Sequence, residues 1–310
     1  MIIIQVVNFT TVTRTFKGPV MAVRMVVFIA FLLGTEFVPY SSVKAEDVLP
    51  QDVHVVTPAY KPEFKDFEPS LGTYVYDVSW QGIPAAEVQL QVEEDEGKYY
   101  RITTFAKTYS GIDLFYKLRY RAEGLIASSN LLPLHTVIDH RENSKVKNIQ
   151  ITFKDGDISS VRSQVGKATE VTKFHSDNLT LDPFSAAFLA RSLEWKKGDI
   201  KEFDTFNGKT RYLISLTATD LIKLKVNGSE RDVWVIVPTV KRLTGDLSKK
   251  SDKLREAKIY VTADKAREVL KIKSEVFVGS VTTQLESFTP SNNLPAGTQV
   301  AKHTTRVFFD

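Results

Sequence analysis

From residue 74 onward the chain alternates apolar and polar side chains with a period of two, and this pattern leaves few folds open. Tyr74, Tyr76, Val78 and Trp80 alternate with Val75, Asp77 and Ser79, after which Gly82 and Pro84 interrupt the run. Ala86, Val88, Leu90 and Val92 alternate with Glu87, Gln89, Gln91 and Glu93. Successive side chains of a strand point to opposite faces, so each run reads as a strand with one dry and one wet side. Residues 99–107, 114–122, 135–141, 146–153 and 158–165 continue the series. In 114–122, Leu114, Tyr116, Leu118 and Tyr120 lie opposite Phe115, Lys117, Arg119 and Arg121. Residues 201–206, 211–216, 221–226, 232–237, 259–262, 269–276 and 280–288 read the same way. Asp155-Gly156, Asn207-Gly208 and Asn227-Gly228 are tight-turn pairs between such runs. Short connections at regular spacing predict an antiparallel meander rather than βαβ units.

One segment departs from this period. Asp182 followed by Pro183 is an N-cap with proline at the first helical position. Ser185 stands in the first turn. Phe184, Ala187, Phe188, Arg191 and Trp195 then share one stripe, with Ala186, Leu189, Ala190 and Leu193 beside it. A helix apolar around most of its circumference belongs inside the molecule. The expected fold is all-β and mainly antiparallel: a curved meander sheet or open half-barrel, with one buried central helix over 183–193 joining its two halves.

The ends of the chain read differently. Residues 21–45 have the form of a secretory signal: Arg24, an apolar run over 25–33, then Val43-Lys44-Ala45 as a cleavage site after Ala45. Met21 is a plausible start. The run is about half of what a membrane span needs, so no stable transmembrane span is expected. Residues 46–70 hold Pro50, Pro58, Pro62 and Pro69, which predicts an extended, poorly packed lead-in. Lysine-rich 243–255 reads as a surface loop, and 289–310 as a tail.

Composition closes off several chemistries. The chain has no cysteine, so disulfides, thiolate zinc sites, iron–sulfur clusters, a cysteine nucleophile and a lipid-modified cysteine after the leader are all excluded. Of 41 basic and 37 acidic residues, Arg14, Lys17, Arg24, Lys44 and Glu36 lie in the first 45, leaving 37 against 36. The excess positive charge belongs mostly to the leader and argues nothing for nucleic acid, nor do the aromatics form a stacking platform. The five histidines, His54, His135, His140, His175 and His303, show no metal-ligand spacing. His135 and His140, an odd number apart, face opposite sides of a strand. There is no Gly-x-Ser-x-Gly elbow and no phosphate-binding glycine loop, so neither a cofactor nor a metal is expected. In a membrane-spanning barrel the polar faces bearing Glu87 to Glu93 and Lys117 to Arg121 would have to line a wet lumen, but the short loops at nearly every turn and the lack of paired aromatic girdles tell against one.

The opening Tyr74-x-Tyr76-x-Val78-x-Trp80 strand, the Asp182-Pro183-Phe184-Ser185 helix followed by Arg191, and Asn207-Gly208-Lys209 with Tyr212 occur in this order. In that combination the chain resembles a Gram-negative exported family known as domain-of-unknown-function family 3108, over about residues 71–288. The resemblance implies a β-rich periplasmic fold, loosely similar to half-barrels that carry lipoproteins or lipids, and it implies no catalytic residues. The functional expectation is a non-catalytic periplasmic protein of the cell envelope. It would bind an apolar or amphipathic envelope molecule, such as a lipid, on a concave sheet face. Arg191, a cation on an apolar helix, would either pair internally or anchor a head group, and Trp80, Tyr116, Trp195 and Trp234 would line the cleft. Docking of an envelope protein partner is the alternative, and hydrolysis of an envelope polymer comes third.

Overall fold

The computed structural model describes residues 48–247, 255–276 and 279–291. The leader over 21–45, residues 1–20 and most of the 289–310 tail fall outside the described residues. The first half of the chain forms β1 (Gly72–Trp80), β2 (Ile83–Asp95), β3 (Tyr99–Thr108), a single helical turn α1 (Ser110–Asp113), β4 (Leu118–Ala127), β5 (Pro133–Glu142), β6 (Lys145–Lys154), β7 (Asp157–Gln164) and β8 (Glu170–His175). The second half forms β9 (Thr180–Leu181), helix α2 (Pro183–Ser192), β10 (Ile200–Phe206), β11 (Arg211–Val226), β12 (Ser229–Arg242), β13 (Arg255–Thr262), β14 (Val269–Glu275) and β15 (Ser280–Pro290).

All fifteen strands belong to one sheet, in the order β8 to β1 and then β15 to β9. The first and last strands pair, Tyr74 opposite Phe288 and Trp80 opposite Val281. The free edges, β8 and β9, are therefore neighbours in sequence. The sheet curves round and leaves an unpaired seam at mid-chain. Register shifts between Val75 and Tyr76, Val78 and Ser79, and Ala218 and Asp220 add local bends to the strands.

The dry parity of the strands faces inward. Tyr74, Tyr76, Val78, Ala86, Val88, Leu90 and Val92 are all buried. Helix α2 packs against this inner face, every one of its residues buried. Phe184 and Phe188 join the larger core, whereas Ala186, Leu189 and Ala190 join a second core with Phe203, Ile236 and Ile272. Gly124 on β4 makes room for the helix: a Cβ there would stand 2.4 Å from Phe184 Cδ2.

Several local expectations are corrected. The strand expected from residue 114 begins at Leu118. Helical hydrogen bonds from the Phe115 and Tyr116 amides to the Ile112 carbonyl hold the preceding residues in a turn, and Leu114 and Phe115 stand in water. The two runs 211–216 and 221–226 are one bulged strand, β11. Strand β8, too polar to show alternation, is additional. The meander has one βαβ exception: α2 connects β9 to β10, which pair in parallel, Thr180 opposite Asp204. Leu243 and Thr244, at the head of the expected surface loop, are buried, and Thr289 and Pro290 belong to β15 rather than the tail.

The lead-in is extended but not loosely packed. It straps the seam. Arg211 is buried at the start of β11 and pairs with buried Asp204 on β10, Nη2 to Oδ2 2.5 Å. Its Nη1 donates to the carbonyls of Pro50 and Val53 at 2.8 and 3.0 Å. The second carboxylate oxygen also accepts from Thr180 Oγ1 and Asn178 Nδ2, and the Thr57 amide donates to Asn178 Oδ1. Farther along, Phe67 lies edge-on to Phe188, and Tyr60 packs on Phe203. Backbone carbonyls that proline-rich chain leaves free thus find a buried guanidinium.

Candidate functional site

Three inward positions of consecutive strands carry polar groups where the period would place apolar ones. Tyr120 on β4 stands opposite His140 on β5, which stands opposite Lys147 on β6. One step nearer the strand ends, Leu118 is opposite Glu142, and Glu142 opposite Lys145. Thr104 on β3 faces the same side, opposite Ala122. His140, Glu142, Lys147 and Thr104 are all buried. Tyr116 joins them from the turn before β4, its hydroxyl beside the Glu142 carboxylate.

Burial governs the charges here. His140 is held far below its ordinary value, to about 4, by burial first and then by Lys147 and Lys145. It is a neutral imidazole at neutral pH. Burial raises the Glu142 carboxyl, against the opposing pull of Lys145 and Lys147, and raises the Tyr116 and Tyr120 phenols. Four side-chain atoms of this group, Thr104 Oγ1, Tyr116 OH, His140 Nε2 and Glu142 Oε2, have no hydrogen-bond partner among the described residues. A buried polar atom left in this state costs roughly 1–3 kcal/mol. Ala86, Ala106 and Ala122 are buried on the same inner wall. Chemically the patch offers donors and acceptors of mixed kind beside two lysines, next to an apolar surface.

Apart from Tyr116, the site residues singled out in the sequence fall elsewhere. Asp182 caps α2 as expected: Oδ1 accepts from the Ser185 amide at 2.7 Å, and Oδ2 accepts from the Thr136 hydroxyl at 2.5 Å. Burial raises its carboxyl against those bonds. The Ser185 hydroxyl is buried without a partner among the described residues. Arg191 is buried and bonds backbone carbonyls rather than a carboxylate. Its Nε and Nη2 donate to the carbonyls of Arg267 and Ala266 at 2.6 and 2.8 Å, and its guanidinium lies over the rings of Phe188 and Phe67. Burial lowers its pKa.

The four aromatics do not form one cleft. Trp195 and Trp234 belong to the second core, with Trp195 Nε1 bonded to the Ala190 carbonyl at 3.0 Å. Trp80 packs on the first core, and Tyr116 sits with Ala85 and Leu118. Only Tyr116 meets the polar patch. His135, at the opposite parity to His140, faces the outer side with Thr152. His140 and Glu142 share the parity of Ile138, so the same spacing rule could have marked both as polar residues on a dry face. Among the described residues no three His, Asp or Glu side chains gather as a metal site, and no helix is long and apolar enough to cross a membrane.

Residues 75–286 match the family described as "Protein of unknown function (DUF3108)". The chain belongs to this family. The matched region of this DUF3108 chain runs from β1 to β15 and includes the inner patch and α2. A β-barrel-like protein of another domain of unknown function, DUF1849, from Brucella abortus has a similar crystal structure. The likeness covers 72% of this chain and 99% of that one, with 8% identity and a TM-score of 0.51, and speaks for the fold alone. A Parabacteroides distasonis protein provisionally described as a lipoprotein is aligned over 74% of this chain and 100% of its own. Its identity is 11% and its TM-score 0.31, too low to carry an argument. No curated protein matches this sequence.

Proposed function

We propose that this DUF3108 chain is a non-catalytic binding module of the bacterial envelope. It holds an amphipathic molecule whose hydroxyl- or oxygen-rich end meets the inner patch of β3–β6. One observation carries this reading: Thr104 Oγ1, Tyr116 OH, His140 Nε2 and Glu142 Oε2, spread over the inner side of β3–β5 and the turn before β4, are buried with no hydrogen-bond partner among the described residues. A ligand that bonds them recovers a desolvation cost already incurred on folding. The neighbouring alanines and the apolar core suit the rest of such a molecule. The signal-like leader over 21–45 supports a periplasmic location in this reading.

The test is native mass spectrometry of the chain purified from a periplasmic extract, followed by organic extraction. Bound mass that leaves with solvent, and is lost in His140→Phe with Glu142→Leu, supports the proposal. A folded chain with a clean apo mass overturns it. Strand addition by a protein partner at the β8 edge is the second reading. Its support is the cross-strand pair Val161 and Val171, both exposed on the outer side of β7 and β8.

A further inference from the structure

The buried atoms left unpartnered on the inner side of β3–β5 differ in what they can bond. Glu142 Oε2 belongs to a carboxylate, which only accepts hydrogen bonds while ionised. The Tyr116 and Thr104 hydroxyls both donate and accept, and His140 Nε2 does one or the other according to the tautomer of the neutral ring. Charge is mixed as well. Lys145 stands opposite Glu142 and Lys147 opposite His140, and both lysines act on the Glu142 carboxyl.

Three kinds of head group can be compared on this wall. A phosphate diester offers acceptors alone. It meets the hydroxyls of Tyr116 and Thr104, but it brings no donor and a like charge to Glu142. A quaternary or primary amine brings no acceptor, and its positive charge is set beside Lys145 and Lys147. A sugar hydroxyl donates and accepts from one oxygen. It therefore suits all four atoms, in either protonation state of Glu142 and either tautomer of His140, and it carries no charge into a site of mixed sign.

The spread of the atoms sets the size of the head. Thr104 lies in the cross-strand row of Ala122 and Ile138, with His140 one row farther along β5 and Glu142 two rows. Two strand spacings across and four residues along place Thr104 and Glu142 about 16 Å apart at the backbone, more than one sugar ring can bridge. The residues opposite Tyr120 and Thr104 are Ala106 and Ala122, so the wall is shallow between its larger side chains. Tyr120 itself is half-buried and meets His140 edge-on at 5.9 Å. We infer that the molecule held here is a glycolipid, an apolar tail bearing an uncharged head of two or more sugar rings. The inference rests on the binding reading above and names the chemistry of the ligand's polar end.

The experiment is native mass spectrometry of the chain, purified from a periplasmic extract, with each of three amphiphiles of one tail length below their micelle-forming concentrations: dodecyl maltoside, dodecyl phosphate and dodecyltrimethylammonium. The maltoside is expected to bind about tenfold more tightly than either charged head. Tyr116→Phe and Thr104→Val each remove one unpartnered hydroxyl and keep the side-chain shape. Each should lower maltoside affinity by about three- to tenfold and leave the charged amphiphiles unaffected, with a urea midpoint that is unchanged or raised. Equal binding of the three heads, or a preference for phosphate or ammonium, overturns the inference and leaves the binding reading standing. So does maltoside binding that neither substitution weakens. Absence of maltoside binding also overturns it, and extractable mass on the purified chain then keeps the binding reading, whereas a clean apo mass removes both.

Discussion

Replacing His140 by phenylalanine should make the protein more resistant to acid, because the imidazole is buried and kept neutral. Its value falls from the ordinary 6.5 to about 4 in the folded chain. Between those limits the unfolded chain holds a proton that the folded chain does not, so stability falls as pH falls. The loss works out at about 1 kcal/mol at pH 6, ~2 at pH 5 and ~3 at pH 4. Glu142 acts in the opposite direction. Burial raises its carboxyl, so the folded chain keeps that proton to higher pH and this contribution fades as pH rises. His140→Phe leaves Glu142 in place, so the difference between variant and wild type reports the imidazole. His140 Nε2 has no hydrogen bond to lose, and a phenylalanine ring can keep the edge-on contact with Tyr120. The two proteins should therefore be close in stability at pH 7, and the variant should lead by about 3 kcal/mol at pH 4. Urea unfolding followed by tryptophan fluorescence over this range measures the difference. A gap between the two curves that stays constant from pH 7 to pH 4 would refute the burial argument.

Further substitutions test how the sheet is closed and filled. Asp204→Ala leaves Arg211 buried without its carboxylate and should cost about 3–5 kcal/mol, read as a lowered urea midpoint. Glu230→Ala, which breaks the exposed pair with Lys223, should cost at most about 1 kcal/mol by the same assay. Gly124→Ala drives a methyl group into Phe184 and should cost about 1–3 kcal/mol. Phe184→Leu in the same chain should recover part of that loss, and a second substitution whose cost simply adds to the first would contradict the contact.

Local alternation made most of the sheet legible, because one buried face fixes the register of each strand. Asp182-Pro183 announced the helix through its cap, and the Asp155-Gly156 and Asn227-Gly228 turns have the positive φ angles that such pairs favour. The pairing of β1 with β15 left no local mark, since it joins residues at opposite ends of the chain. The seam was hidden for the same reason. Arg211 lies 161 residues from the Pro50 carbonyl it bonds, and nothing around either residue points to the other. At 114–117 the period misled, because Leu114 shares the parity of buried Tyr116 and Leu118 while a helical turn holds it in water. The inner patch lay between these cases. His140 and Glu142 carried a readable signal, polar side chains in phase with Ile138, but pairing histidines by metal spacing passes over it.

Two buried polar groups separate structure from function in this chain. Around Arg211 and Asp204 the charges and carbonyls satisfy one another, with Thr180, Asn178, Pro50 and Val53 completing the set. Such a closed network accounts for itself: it fixes the strap across the seam, with both carboxylate oxygens bonded within it. Arg191, on two carbonyls and two rings, is likewise committed to internal contacts. The wall of β3–β6 is different, because folding there buries Thr104, Tyr116, His140 and Glu142 without pairing the four atoms named above. Apolar residues at those positions would have given a more stable sheet at no cost in register. A cost retained on one wall and absent from the seam is the physical reason for placing the function at the wall.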